Sequence, residues 1–209
     1  MRSILIVRRA ADEAAALASA ADALAYENGL APGPGHGVGK RVFACLSPPG
    51  AGRAEAEIDA LKPFWPDGIV AFGVCGWRDI QRLGAKLAVR EAELGLAAGA
   101  TKIVAFPAST PAGVLELGTL ARAGGRLIGL GFDADALAQA LGVEAQAEPV
   151  RVARGLLVCA AAAAGVPAYE RARHGDGDSF ARACAEAARD SFFGLFVDDA
   201  AQAAQLNFP

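Results

Sequence analysis

The sequence predicts an α/β fold, a compact single-domain (β/α)8 barrel of the TIM type covering residues 1–209. Three observations carry this. Short apolar runs alternate with alanine-rich segments from one end to the other, the pattern of parallel β/α units. Eight such runs can be read, and 209 residues just meet the roughly 200 such a barrel needs. Polar, turn-forming tips also follow the runs, as in Pro107–Pro111 after Ile103–Phe106 and Gly131–Asp135 after Leu127–Leu130. A barrel of this kind builds its chemistry at those tips.

The elements follow in order. Ile4–Val7 is the first strand; its apolar stretch ends at Arg8 and Arg9, too short for a signal peptide. Asp12 is placed to cap a helix over Glu13–Ala23, and Ala23–Tyr26 reads as the second strand. Prolines and glycines in Pro32–Gly39 forbid a helix, so the crossover helix between strands 2 and 3 is expected to be missing. A Gly-rich loop over about 32–40 takes its place. Val42–Cys45 and Ile69–Phe72 are the third and fourth strands, followed by the longest predicted helix, Trp77–Gly95. After the fifth strand, Ile103–Phe106, Thr110 and Pro111 open a helix over Ala112–Ala123 with proline at its first turn. Leu127–Leu130 is the sixth strand, and Asp133 and Asp135 then stand where carboxylates cap a helix. Ala168–Tyr169 and Leu195–Val197 complete the strands, with Asp178 and Ser179 opening a helix over Phe180–Asp190 between them.

Composition excludes several classes. Hydrophobic residues make up 54% of the chain, ample for a core, and the longest apolar run, Gly155–Val166, falls short of the ~20 residues a bilayer span requires. Lys and Arg number 20 against 23 Asp and Glu, and the scattered arginines give no patch to neutralise nucleic acid. Cys45, Cys75, Cys159 and Cys184 lie far apart, fitting neither a disulfide scaffold nor a zinc site, and are expected to be reduced and mostly buried. A cytoplasmic protein follows from these readings.

Motifs that could carry chemistry are few. Gly35, Gly37, Gly39 and Lys40 suggest a phosphate loop, but Pro34 and Arg41 occupy positions where that loop needs Gly and Ser or Thr. His36 and His174 fall in loops, Ser109 lacks a nucleophile elbow, and Cys45 and Cys75 have no partner in sequence. Trp65, Trp77, Phe192 and Phe193 read as core or subunit contacts. Glu27, Asp133 and Asp135 all follow predicted strands and could form an acidic group for Mg²⁺; helix capping is the favoured reading of the two aspartates.

Several segments in order resemble the framework of citrate lyase β-subunit-like proteins of the HpcH/HpaI aldolase superfamily. They are Arg2–Val7, Ala18–Leu24, Pro66–Val70, Arg90–Leu96, Thr110–Leu115, Ala161–Pro167 and Gln202–Asn207. The resemblance implies a TIM-type barrel, often trimeric or hexameric, that cleaves or forms carbon–carbon bonds on acyl-CoA thioesters or small oxoacids with Mg²⁺ at the strand ends. There the ion would stabilise the enolate formed as the bond breaks.

The chain departs from the family at the functional positions. Ala108-Ser109-Thr110 stands where the family has Ile-Glu-Thr, and the family's ligand Asp after strand 6 falls on Ala136. Tyr26-Glu27-Asn28 replaces Asp-Leu-Glu-Asp, Ala44-Cys45-Leu46 replaces Arg-Val-Asn, and Phe72-Gly73-Val74-Cys75 replaces Pro-Lys-Val-Glu. The resemblance therefore marks Glu27, Ser109 and Asp135 as the candidate catalytic positions, Arg8, Arg9, Cys45 and Gly73 as substrate contacts, and Asp133 and Asp135 as the remaining metal candidates. It implies a barrel without the usual metal site, no cofactor, and a binding or regulatory role towards a CoA thioester or small oxoacid. The alternative is an active lyase with a relocated acidic Mg²⁺ site. Self-association, with Phe192, Phe193 and Phe208 as contacts, is expected in either case.

Overall fold

The computed structural model describes residues 1–27, 29–30, 39–48, 53–62, 64–172 and 177–206. Eight parallel strands close into one barrel in sequence order: β1 Arg2–Val7, β2 Ala23–Tyr26, β3 Arg41–Leu46, β4 Gly68–Phe72, β5 Lys102–Phe106, β6 Leu127–Phe132, β7 Ala168–Arg171 and β8 Gly194–Val197. Each predicted strand is present, most extended by a residue or two. Around them run α1 Glu13–Ala18, α2 Ala54–Ala60, α3 Trp77–Glu93, α4 Pro111–Leu115, α5 Ala134–Leu141, α6 Glu148–Ala164, α7 Gly177–Arg189 and α8 Ala200–Leu206. Among the described residues no helix lies between β2 and β3; the Gly-rich loop expected there falls, apart from Gly39 and Lys40, outside the described residues, as do His36 and His174.

The strand alternation sorts side chains into two cores. Inward residues Ile4, Ile6, Ala25, Phe43, Val70, Val104, Phe106 and Phe196 fill the lumen, while Leu5, Val7, Leu24, Ile69 and Ile103 face the helices. Aromatic rings close the middle of the lumen: Phe106 meets Phe196 edge-on at 5.0 Å, and Tyr169 meets Phe196 at 5.8 Å. Glycines make room for them, since a Cβ on Gly131 would lie 2.4 Å from the Phe106 ring.

Four local expectations are corrected. Asp12 does not cap α1, because its carboxylate is taken by Arg9, and the helix ends at Ala18, where Ser19 turns extended, not at Ala23. Thr110 caps α4 as expected, its Oγ1 accepting from Gly113 N at 3.1 Å, but the α-helix ends at Leu115 and a 3-10 segment runs Leu117–Arg122. The cysteines are unpaired but not mostly buried, Cys75 and Cys159 being exposed. Phe192 is buried whereas Phe193 is exposed; Phe208 lies outside the described residues.

Candidate functional site

Charged residues at the strand ends form one cluster over the aromatic layer. Arg8 follows β1, Glu27 follows β2, Asp133 follows β6, Arg171 ends β7 and Asp198 follows β8. Arg8 donates from Nε to Glu27 Oε2 at 3.0 Å and from Nη2 to Asp198 Oδ1 at 2.7 Å. Arg171 lies among all three acids: 3.3 Å to Asp133 Oδ2, 3.4 Å to Glu27 Oε1 and 3.8 Å to Asp198 Oδ1. The residues 8, 27, 133, 171 and 198 thus join two cations to three anions, leaving one negative charge. Burial works against the charge on Arg8, but Glu27 and Asp198 outweigh it and hold the guanidinium pKa above its ordinary value.

The two arginines are held differently. Arg8 makes a bond to Asp198 of charge-assisted length, whereas each Arg171 contact is longer than the roughly 2.7–2.9 Å of a good pair. The Arg171 guanidinium also lies 5.9 Å from the Phe72 ring centre. It borders three cavities, two of them at the mouth. One, of about 480 Å³, is lined by Glu27, Cys45, Ser47, Arg53 and Phe72; the other, of about 270 Å³, by Arg8, Asp133, Asp135, Gln139 and Asp198. A larger cavity of about 790 Å³ lies outside the barrel between α6 and α7, where Arg154 is already paired to Glu170 and Asp190.

Of the residues singled out from sequence, the structure gathers Arg8, Glu27, Asp133 and, at the edge, Asp135. Asp133 is both cap and cluster member, with Oδ1 accepting from Ala136 N at 2.9 Å and Oδ2 facing Arg171. Asp135 is exposed on the first turn of α5. Arg9 is not brought in; it is exposed and bonded twice to Asp12. Ser109 serves the backbone: its Oγ donates to Phe106 O at 3.0 Å and accepts from Gly73 N at 3.2 Å. Gly73 has φ +65° against Pro48, a left-handed turn that any side chain would strain. Burial pushes the Cys45 thiol far up, Glu27 adds to this, and the nearby arginines do not reverse it, so Cys45 is a neutral thiol.

Arg171 and Asp198 were not singled out. Asp198 carried the signal used elsewhere, a carboxylate directly after an apolar run, Leu195–Val197. Arg171 lies beyond the apolar run Ala168–Tyr169, and it is the pairing with β8 that carries the strand as far as Arg171.

Both Glu27 oxygens face guanidinium groups, and those of Asp133 are taken by a helix N–H and by Arg171. Among the described residues no group of three or more His, Cys, Asp and Glu is placed to hold a metal.

No protein-family model matches the chain, and no curated protein does. Solved structures match it nearly end to end at low identity. RipC from Yersinia pestis is 20% identical, with a TM-score of 0.76, over 99% of this chain and 93% of that one. The protein CitE from Mycobacterium tuberculosis, in complex with magnesium and acetoacetate, is 17% identical with a TM-score of 0.79, over 100% of this chain and 90% of that one. A further CitE structure, with magnesium, acetoacetate and coenzyme A, is 16% identical with a TM-score of 0.75, over 98% of this chain and 79% of that one. Closed eight-stranded topology and full-length superposition together give this chain the fold of the citrate lyase β subunit.

Proposed function

We propose that this protein is a citrate-lyase-β-like barrel without a working metal site, a pseudoenzyme that binds a small oxoacid or CoA thioester at its mouth in a binding or regulatory role. The observation that carries the proposal is Arg171: a guanidinium lies among Glu27, Asp133 and Asp198, three of the carboxylates at the mouth. Its loose contacts leave it able to exchange Asp133 and Glu27 for a ligand carboxylate in a closer, two-bond pair. The cavity of about 480 Å³ beside it falls within the usual size of small-molecule sites, and Phe72 supplies an apolar wall. Catalytic support is thin, since Cys45 is held protonated and Ser109 is committed to the backbone. Neighbour structures with acetoacetate, pyruvate and coenzyme A suggest the ligand class.

A metal-dependent lyase with a relocated site is the second reading, favoured by Asp133, Asp135 and Asp198 lining one cavity of about 270 Å³. A thermal-shift screen with acetyl-CoA, pyruvate, oxaloacetate and glyoxylate, each with and without Mg²⁺, separates the two. The first reading expects stabilisation independent of Mg²⁺ and lost in Arg171→Ala. Stabilisation only with Mg²⁺, lost in Asp135→Ala, would replace it with the second. We also infer self-association, resting on Phe193, Val152 and Leu156, each about half exposed; a monomer mass by light scattering would remove it.

A further inference from the structure

The opposite end of the barrel carries its own arrangement. Inward register places Arg41 on β3 and Lys102 on β5 in the lowest layer of the lumen, two residues below Phe43 and Val104. Between them on β4 is Gly68, paired with Lys102 and lacking any side chain to fill the space; a Cβ there would lie 2.7 Å from the Phe43 ring. A cavity of about 370 Å³ opens at this floor, lined by Arg41, Phe43, Trp65, Leu96, Lys102 and Ile128. Among the described residues neither Arg41 nor Lys102 has an ion-pair partner, and the one carboxylate at the rim, Asp67, accepts from Val42 N at 2.8 Å.

The indole wall of this cavity is fixed by a buried chain of bonds. Trp65 Nε1 donates to Thr101 Oγ1 at 2.8 Å, Thr101 N donates to Glu91 Oε1 at 2.7 Å, and Arg126 grips both Glu91 oxygens at 2.7 Å. Glu91 and Thr101 are each 1% exposed. A buried carboxylate is costly to desolvate, and here its bonds end on an aromatic ring beside two cations without an ion-pair partner among the described residues. An anchored ring beside Arg41 and Lys102 makes a receptor for a ligand with one flat apolar part and one anionic part.

We propose that this floor cavity is a second binding site, separate from the mouth, for an anion of the nucleoside monophosphate class. The base lies against Trp65 and the phosphate takes Arg41 and Lys102. The site does not depend on how the mouth functions.

The test is a fluorescence titration of the full chain in a Trp77→Phe background, where Trp65 is the remaining tryptophan, with AMP, adenosine, inorganic phosphate and benzoate as probes. AMP is expected to change the Trp65 signal saturably with a Kd below about 1 mM. Adenosine and phosphate should each bind at least about tenfold more weakly, as loss of a charge-assisted contact or of the stacked ring predicts. Arg41→Ala combined with Lys102→Ala should weaken AMP binding by the same order while leaving the far-UV circular dichroism unchanged; added salt should weaken it too. Arg171→Ala should leave it intact, which keeps this result apart from the mouth's. The proposal is overturned by no saturable AMP signal, by AMP binding that survives the double substitution, or by phosphate or benzoate binding as tightly as AMP.

Discussion

Arg171 is the side chain on which the proposed loss of the metal site rests. Its removal brings Glu27, Asp133 and Asp198 together with one cation fewer, Arg8 still pairing with Glu27 and Asp198. Arg171→Ala is therefore expected to lower stability by about 1 kcal/mol through like-charge repulsion, read from urea unfolding, and the loss should shrink in high salt. Glu91 gives a second residue-scale test. Burial alone would raise its pKa, but Arg126 and the N–H groups of Thr101 and Gly99 prevail and bring it down to about 2. Because the folded value is depressed, the stabilisation is complete above the ordinary carboxyl pKa of 4.5 and drains away as pH falls towards 2. Glu91→Gln should cost about 3 kcal/mol at pH 7, and the gap between variant and parent should narrow steadily from pH 5 to about pH 2. Arg8, Glu27 and Asp133 were legible because a charged residue after an apolar run is visible in one dimension. The grouping with Arg171 was not, since residues 27 and 171 meet only once the barrel closes.

Elements were more legible than their ends. All eight strands followed from apolar runs flanked by turn residues, because a strand buried on both faces shows its whole length as hydrophobic sequence. Helix ends depended on contacts far away in sequence. Nothing local to Asp12 shows that Arg9 takes its carboxylate, and nothing in Ala112–Ala123 shows why the α-helix stops early. The start of α4 is packed hard onto the β5 tip: a Cβ on Gly113 would lie 1.9 Å from Pro107 O and 2.8 Å from Val74 O. No side chain can give way there, so Gly113→Ala is expected to destabilise by about 3 kcal/mol in denaturant unfolding, against little change for Gly118→Ala, where the space is open.

At the scale of the whole molecule, the barrel keeps the architecture of the citrate lyase β-subunit structures while its mouth is occupied by its own ion pairs. The fold was readable because framework and periodicity are distributed along the chain; the mouth was readable only in part because its members come from five different strand ends. The rings of Phe106, Phe196 and Tyr169 have a consequence for how the two ends communicate. They act as an insulating septum, so charge or solvent at one end has no straight line to the other. A ligand at the mouth and one at the floor should then raise the melting temperature by additive amounts, each blind to the other, and this protein would work as two back-to-back receptors sharing one wall.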